Sequence, residues 1–243
     1  MIVANVRGQL RRDDAQLALR LISRGSSSEY ECVEATLRDH GIDEVLDDPR
    51  LLSALVEARQ GGCASYPLFS YVIVRHALMD VGEQDRVLAD YVASILLHFG
   101  LQDRAQRVAS TDDEWYTTLA ELSGAADGPD PRRTFLVRAH LGNYALWLSG
   151  LFPEYIANRH WRRGAPDIDY FEAMGRRGFM LAAEHQLAGQ HGVRSLYETA
   201  AERFALLRLA LNHVSDAYLF PKHQSADRLM RDVSNAARWK LVS

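Results

Sequence analysis

Four side chains with distinct chemistries share one face of the long apolar segment Thr134–Phe152. At about 100° per residue of a helix they fall within about a third of a turn of one another, and they are His140, Asn143, Tyr144 and Trp147. An imidazole, an amide, a phenol and an indole together are typical of the polar lining of a ligand pocket. The alternative is that each one hydrogen-bonds a neighbouring helix end or loop carbonyl, with the aromatic rings in the core. We favour this structural interpretation, and the hypothesis that the four side chains line a ligand pocket is the alternative.

A second polar stripe lies in Ser195–Phe220, which we predict to be the longest helix. Arg208, Asn212 and Asp216 follow one another at four-residue spacing on a side that apolar residues mark as buried. Carboxylates in helical register can bind a divalent metal, but neither a Glu-x-x-His nor a DDxxD motif is present here. A buried salt bridge or a solvated edge is the favoured interpretation, and Asn212 and Asp216 stay candidate ligand-binding residues.

His76 interrupts the apolar segment Pro67–Asp80, one helical turn before the aspartate that ends it. An imidazole and a carboxylate at this spacing can meet directly, which would raise the pKa of the histidine and suit acid–base chemistry. We expect the neighbouring Arg75 to close a salt bridge with Asp85 or Asp90. A structural network is the favoured interpretation, and His76 is kept as a candidate ligand-binding residue.

Recognised reaction motifs are missing from the rest of the sequence. No HExxH, CxxC, GxSxG, Walker or GxGxxG pattern occurs, so we expect no catalytic residue, metal or cofactor. The run RHWRR at Arg159–Arg163 has the chemistry to bind a phosphate or an acidic partner. Cationic residues at the carboxyl end of a helix also stabilise its dipole, and this is the favoured interpretation.

The composition indicates an ordinary globular protein. The chain has 243 residues, of which 47% are hydrophobic and 25% charged, and its formal net charge is −4. This acidic balance argues against nucleic-acid binding. Cys32 and Cys63 are far apart, the charges near the amino terminus follow its apolar patch, and no apolar run is long enough to span a bilayer. We therefore expect a soluble cytoplasmic protein that does not bind membranes.

Helix start and stop patterns recur along the chain, whereas extended period-two alternation does not. Capping boxes are predicted at Ser28 with Glu31 and at Thr111 with Glu114, and Gly124–Pro131 is predicted to be a long loop. The predicted helices are Glu29–Asp39, Pro49–Gln60, Pro67–Asp80, Gln84–Phe99, Asp112–Leu122, Thr134–Phe152, Pro153–Arg163, Asp167–Leu187, Ser195–Phe220 and Ser225–Leu241.

Two of these helices, Pro67–Asp80 and Thr134–Phe152, are apolar almost all the way round, which is typical of a central position. Gln84–Phe99 is amphipathic instead, and we expect its Arg86, Asp90 and Ser94 to face away from the apolar side that begins at Val87. The prediction is an all-α fold, a single-domain helical bundle or orthogonal helical array over residues 1–243. A subdomain boundary in the 124–131 loop is the alternative left open.

Small residues form a stripe on each of two predicted helices. Interior glycines cost about 1 kcal/mol relative to alanine, so close approach between the two backbones is the expected reason for them. The stripes are Ala139, Gly142, Ala145 and Ser149 on one helix and Gly175, Gly178 and Ala182 on the other.

Three segments, Val74–Tyr91, Leu141–Glu154 and Leu209–Phe220, together resemble hypothetical bacterial proteins to which no activity is assigned. The resemblance covers about residues 66–220. It implies a bacterial origin and supplies no catalytic residues to carry over.

The abundance of helical scaffold and the lack of reaction motifs favour a binding or regulatory protein over an enzyme. We expect an adaptor that binds a protein partner or associates with itself as a homo-oligomer. The alternative is a small-molecule-binding protein or an enzyme with an interior polar pocket around His140, Asn143, Tyr144 and Asp216.

Overall fold

The computed structural model describes residues 1–58, 64–100, 104–109 and 112–221, and this part of the chain contains α-helices and no strand. The predicted all-α class is therefore confirmed. The helices are α1 (Arg12–Ser23), α2 (Ser27–His40), α3 (Ile42–Leu46), α4 (Pro49–Ala58), α5 (Tyr66–Asp80), α6 (Arg86–Phe99), α7 (Leu119–Gly124), α8 (Pro131–Leu151), α9 (Pro153–Arg163), α10 (Ile168–Glu184), α11 (Gln186–Gln190), α12 (Arg194–Glu202) and α13 (Phe204–His213).

The chain separates into two compact units. The first unit is Val3–Leu97, and the second comprises Met1, Ile2 and the described residues from His98 onwards. The 124–131 segment, where a boundary was an alternative, lies inside the second unit. Within the residues that the structure describes, no helix combines the length and apolar character that a membrane span requires.

Helix α5 is the buried helix of the first unit. Ser65 caps it by accepting a hydrogen bond from the backbone N–H of Leu68, and a proline stands in its first turn. Ten of its residues between Leu68 and Leu78 are buried. The expectation that this apolar segment forms a buried helix is confirmed for its own unit.

The predicted solvent face of α6 is wrong. Asp90 and Ser94 are 5% and 0% exposed, whereas Val87, expected on the apolar side, is 51% exposed. The amino-terminal segment covers this face, because Asp90 accepts the backbone N–H of Arg7 at 2.9 Å and Ser94 Oγ accepts that of Asn5 at 3.4 Å. Polar side chains are buried here since they satisfy the backbone of an irregular segment.

Helix α8 is the most extensively buried helix of the second unit. Asp130 accepts the backbone N–H of Arg132 at 2.9 Å, and Pro131 occupies the first helical position. Fifteen of the 21 residues are buried. The prediction of a buried helix over Thr134–Phe152 is confirmed, within one residue at its carboxyl end.

The small-residue stripes bring α8 and α10 into backbone contact. A Cβ atom added to Gly178 would lie 2.6 Å from the backbone nitrogen of Gly142 and 3.0 Å from the carbonyl oxygen of Arg138. One added to Gly175 would overlap the Phe204 ring at 2.2 Å. At Gly178 any side chain would force α8 and α10 apart, and at Gly175 it would have to displace the Phe204 ring of α13.

The predicted helix Asp112–Leu122 is wrong over residues 112–117, which are not helical. The capping box that forms is Thr118 with Glu121, whose carboxylate also accepts the backbone N–H of Thr117. Asp112 instead accepts the backbone N–H of Ala109 and pairs with Arg133. The predicted loop over Gly124–Pro131 is shorter than expected, because α7 and a 3₁₀ turn extend to Asp127.

The helix predicted over Ser195–Phe220 is divided into α12, α13 and a π-helical segment, Val214–Leu219. α8, with 21 residues, is therefore the longest described helix.

Helix α2 is capped by Ser26 rather than Ser28, and α10 ends at Glu184 before the separate α11. Thr111, the last residues of the helix predicted over Pro49–Gln60 and the helix predicted over Ser225–Leu241 lie outside the described residues.

Candidate ligand-binding site

A cavity of about 210 Å³ lies in the second unit, between α8, α9, α10 and the segment that enters α7. Its lining is mainly aromatic and aliphatic. Four aromatic rings contribute, those of Tyr144, Tyr155, Tyr170 and Phe171. An apolar cavity with a few polar groups is the usual composition of a small-molecule site.

Helices α8 and α9 are separated by a single non-helical residue, Phe152, and this corner builds two walls of the cavity. α8 ends at Leu151, and Pro153 starts α9 at once because its fixed φ suits a first helical position. Gly164, at φ 62°, ends α9, and Asp167 then caps α10 by accepting the backbone N–H of Tyr170 at 3.1 Å.

The cavity is accessible from solvent. Thr117, Ala120, Tyr155 and Pro166 belong to its lining and are exposed, Tyr155 by 50%. On the inner side, Ile156 is 2% exposed. A molecule can therefore enter on one side and be enclosed by buried apolar residues on the other.

Arg159 provides the one charged side chain among the described residues that line the cavity. Its Nη1 donates to Tyr155 Oη at 2.8 Å, and its Cζ lies 5.4 Å from the centre of the Tyr155 ring. Its Nε is buried and has no hydrogen-bond acceptor in the described structure. A buried N–H of a charged group without an acceptor is unfavourable, and together with its place in the lining this makes Arg159 the candidate residue for an anionic ligand group.

Tyr144 is the one member of the predicted four-residue cluster that lines the cavity. Its hydroxyl donates to the carbonyl oxygen of Thr117 at 3.3 Å, a long hydrogen bond. Burial raises the pKa of Tyr144 to about 12, so the phenol keeps its proton at neutral pH. Its ring stacks with those of His140 and Trp147, each at 6.2 Å.

His140 hydrogen-bonds a loop carbonyl and does not belong to the cavity lining. The side chain is 3% exposed, and its Nε2 lies 2.9 Å from the carbonyl oxygen of Ala105. Burial, together with the charge of Arg104, lowers the pKa of His140 to about 3. A neutral imidazole that donates to a carbonyl has a structural role here.

Trp147 and Asn143 also lie outside the cavity lining. Trp147 packs edge-on against Phe99 at 5.7 Å and Phe152 at 4.9 Å between ring centres. Asn143 is buried, with 2% of its surface exposed. The helical face was therefore predicted correctly as interior, but its four members do not meet in one pocket.

Asn212 hydrogen-bonds carbonyl oxygens at the carboxyl end of α8 and does not belong to the cavity lining. Its Nδ2 donates to the carbonyl oxygens of Ser149 at 3.0 Å and Gly150 at 2.6 Å, and its Oδ1 accepts from Arg208 at 3.0 Å. Arg208 in turn pairs with Glu172 at 2.6 Å. The favoured interpretation of this stripe as a buried salt bridge agrees with these contacts, and Asp216 is half-buried outside the cavity lining.

His76 belongs to the first unit, where it contacts the carbonyl oxygen of Leu46 at 3.1 Å through Nε2. Burial lowers its pKa, whereas pairing with Asp80 was expected to raise it. The expected partners of Arg75 are also wrong, because its guanidinium pairs with Asp47 through two bonds of 2.8 and 2.9 Å. Sequence spacing indicated local partners, and the fold supplies a residue 28 positions away.

Sequence reasoning missed Tyr155, Tyr170 and Phe171 as site residues. Arg159 was noticed, but as part of a basic run at a helix end. The available indication was Pro153, which predicts an abrupt start of α9 and hence a corner beside α8.

Neither a family model, nor a curated protein, nor a solved structure matches this chain, so the resemblance to hypothetical bacterial proteins stays a prediction.

Proposed function

We propose that the protein binds a small organic molecule in the cavity of its second unit. The observation that carries this proposal is the solvent-accessible aromatic cavity in which Arg159 is the one charged side chain among the described lining residues. A site of about 210 Å³ is smaller than the roughly 300–1,000 Å³ typical of pockets for drug-sized ligands. It exceeds the roughly 150 Å³ cavity that holds benzene, so a single substituted ring is a suitable size.

Binding rather than catalysis is favoured by the chemistry of the lining. Among the described lining residues there is no carboxylate, imidazole or thiol, and the polar groups are hydroxyls and one guanidinium. None of these exchanges a proton readily near neutral pH. The enzyme alternative, which placed acid–base chemistry near His140, has less support because that imidazole is buried and its pKa lies far below neutral.

We further propose a cytoplasmic location, since Cys32 carries a free, exposed thiol of the kind that persists in a reducing compartment. The expectation of an adaptor or a homo-oligomer stays a prediction. Sedimentation velocity over a range of protein concentrations tests it, because self-association would raise the sedimentation coefficient as concentration rises.

The ligand proposal is tested by native mass spectrometry of the purified protein, followed by calorimetric titration with phenol, benzamide and benzoate. We expect at least one probe to bind with 1:1 stoichiometry. The cavity-filling variants Leu148→Phe and Ala165→Leu should abolish that binding, because both residues line the cavity.

Ala35→Leu on α2 of the first unit is the matched control and should bind as the wild type does. Circular dichroism verifies that each variant is folded, and the second cavity variant replaces the first if the larger side chain unfolds the protein. Failure of all three probes to bind the folded wild type would contradict the proposal. Binding that both cavity variants retain would contradict it too.

A further inference from the structure

We propose that the ligand is a single-ring aromatic monocarboxylate whose carboxylate pairs with Arg159. This inference rests on the proposed function and specifies the chemical class of its ligand. It draws on the charge of the lining, the geometry of the guanidinium, and the aromatic walls around it.

The charge of the lining selects a monoanion. Arg159 is the one charged residue among the described residues of the lining, so an incoming carboxylate would leave the site neutral. A neutral ligand would leave the guanidinium without a counter-charge, and a dianion would bring one uncompensated charge into an apolar cavity. Both alternatives are unfavourable because an unpaired charge is costly to bury.

The guanidinium is already held in position. Tyr155 stands four residues before Arg159 on α9, and it accepts from Nη1 at 2.8 Å while its ring lies 5.4 Å from Cζ. The guanidinium belongs to the cavity lining, and a planar guanidinium can form parallel N–H bonds with a carboxylate. Because the contact with Tyr155 restricts the side chain before binding, less rotamer entropy is lost when a carboxylate arrives.

A second donor lies in the same lining. The Tyr144 hydroxyl keeps its proton, and its hydrogen bond to the carbonyl oxygen of Thr117 is long at 3.3 Å. The Tyr144 hydroxyl is also close enough to feel the charge of Arg159. An anion bound beside the guanidinium would be a stronger acceptor than the Thr117 carbonyl, so we expect the phenol to exchange its long bond to Thr117 for one to the anion.

The walls select an aromatic ring. Tyr144, Tyr170 and Phe171 present ring surfaces, and Leu148 and Ile156 add aliphatic surface between them. Aromatic rings gain about 0.5–1.5 kcal/mol from such contacts beyond burial of their area. The 210 Å³ volume leaves room for a carboxylate in addition to a ring of benzene size.

The test compares pairs of probes that differ only in charge. Benzoate, phenylacetate and 3-phenylpropanoate are titrated calorimetrically at pH 7 against the corresponding amides, with phenyl phosphate as the dianion. We expect at least one carboxylate to bind about tenfold or more tightly than its amide, and phenyl phosphate to bind more weakly than that carboxylate.

Substitution of Arg159 tests the preference for a carboxylate independently of the proposal that the cavity binds a ligand. Arg159→Met should remove the preference for the carboxylate, and Arg159→Lys should restore only part of it because an ammonium lacks the guanidinium edge. Arg162→Met, on an exposed position of the same helix, is the control and should behave as the wild type does.

Equal binding of carboxylate and amide would overturn the carboxylate inference, as would tighter binding of phenyl phosphate or an Arg159→Met variant that keeps the preference. In each case the loss of binding in Leu148→Phe and Ala165→Leu would still support the cavity as a ligand site. If no probe binds at all, the proposed function fails together with the inference.

Discussion

The side-chain amide of Asn212 donates to the carbonyl oxygen of Gly150 at 2.6 Å, in the last turn of α8. The last carbonyls of a helix have no partner within the helix, and buried ones must be satisfied from outside. The Asn212 amide also donates to the carbonyl oxygen of Ser149, and Ser215 Oγ donates to the carbonyl oxygen of Leu151 at 2.8 Å. The carboxyl end of this buried helix is thus satisfied by two side chains from elsewhere in the second unit.

Asn212→Ala should therefore destabilise the second unit. The change removes both bonds to the α8 carbonyls and one acceptor for Arg208. We expect the free energy of unfolding to fall by about 3 kcal/mol, because buried polar groups would be left without partners. Urea denaturation followed by circular dichroism measures this. Glu202→Gln, exposed at the end of α12, is the control, and an equal loss in both variants would contradict the capping role.

Gly178→Ala should also destabilise the protein, although alanine is the better helix former by about 1 kcal/mol. The added methyl group would lie 2.6 Å from the backbone nitrogen of Gly142, so α8 and α10 must separate. We expect a net loss of about 2 kcal/mol from this overpacking. Gly189→Ala on α11 is the matched control, because its new atom meets only the flexible end of Arg194 at 3.5 Å. A Gly178→Ala variant as stable as the wild type would show that the helices can part at no cost.

Tyr71→Phe is expected to leave stability unchanged or to raise it by about 1 kcal/mol. The Tyr71 side chain is fully buried, and its hydroxyl has no hydrogen-bond partner in the described structure. Removing a buried polar group without a partner removes its desolvation cost. Tyr144→Phe is the contrasting variant, since that hydroxyl donates to Thr117, and it should lose about 1 kcal/mol. A loss in Tyr71→Phe as large as in Tyr144→Phe would indicate a partner such as a bound water.

The sequence was sufficient to predict which helices are buried, because apolar residues all round α5 and α8 leave no face for solvent. It misjudged the orientation of α6, where Asp90 and Ser94 are buried under the amino-terminal segment. A helical pattern shows which residues share a face but not which other segment covers that face. Thr118 also satisfies the T-x-x-E pattern, and it forms the capping box with Glu121, a choice that the local pattern does not determine.

The candidate site was only partly predictable for the same reason. Tyr144 was predicted from the interior face of α8, whereas Arg159 was noted only within a basic run whose favoured interpretation was stabilisation of the helix dipole. Their meeting depends on the corner at Phe152, which places α9 beside the end of α8. Long-range pairs such as Arg75 with Asp47 equally require the folded chain, since neither residue has a local pattern that points to the other.

Acid should destabilise the second unit through His140. The pKa of this imidazole is about 3 in the folded protein and near the ordinary value of 6.5 once the chain unfolds, because burial excludes the charged form. The unfolded state therefore binds one more proton between these values, and stability falls as pH decreases through that window. Above pH 6.5 the group contributes no pH dependence.

The measurement is urea denaturation at pH 7.5, 6 and 5 for the wild type and His140→Gln. Carboxylates also titrate in acid, so the difference between the two proteins isolates the histidine. We expect that difference to change by up to about 1.4 kcal/mol for each pH unit below 6.5, with the variant losing less stability than the wild type. Parallel pH profiles for the two proteins would mean that His140 takes up its proton without unfolding, which a buried imidazole held against the carbonyl of Ala105 should not do.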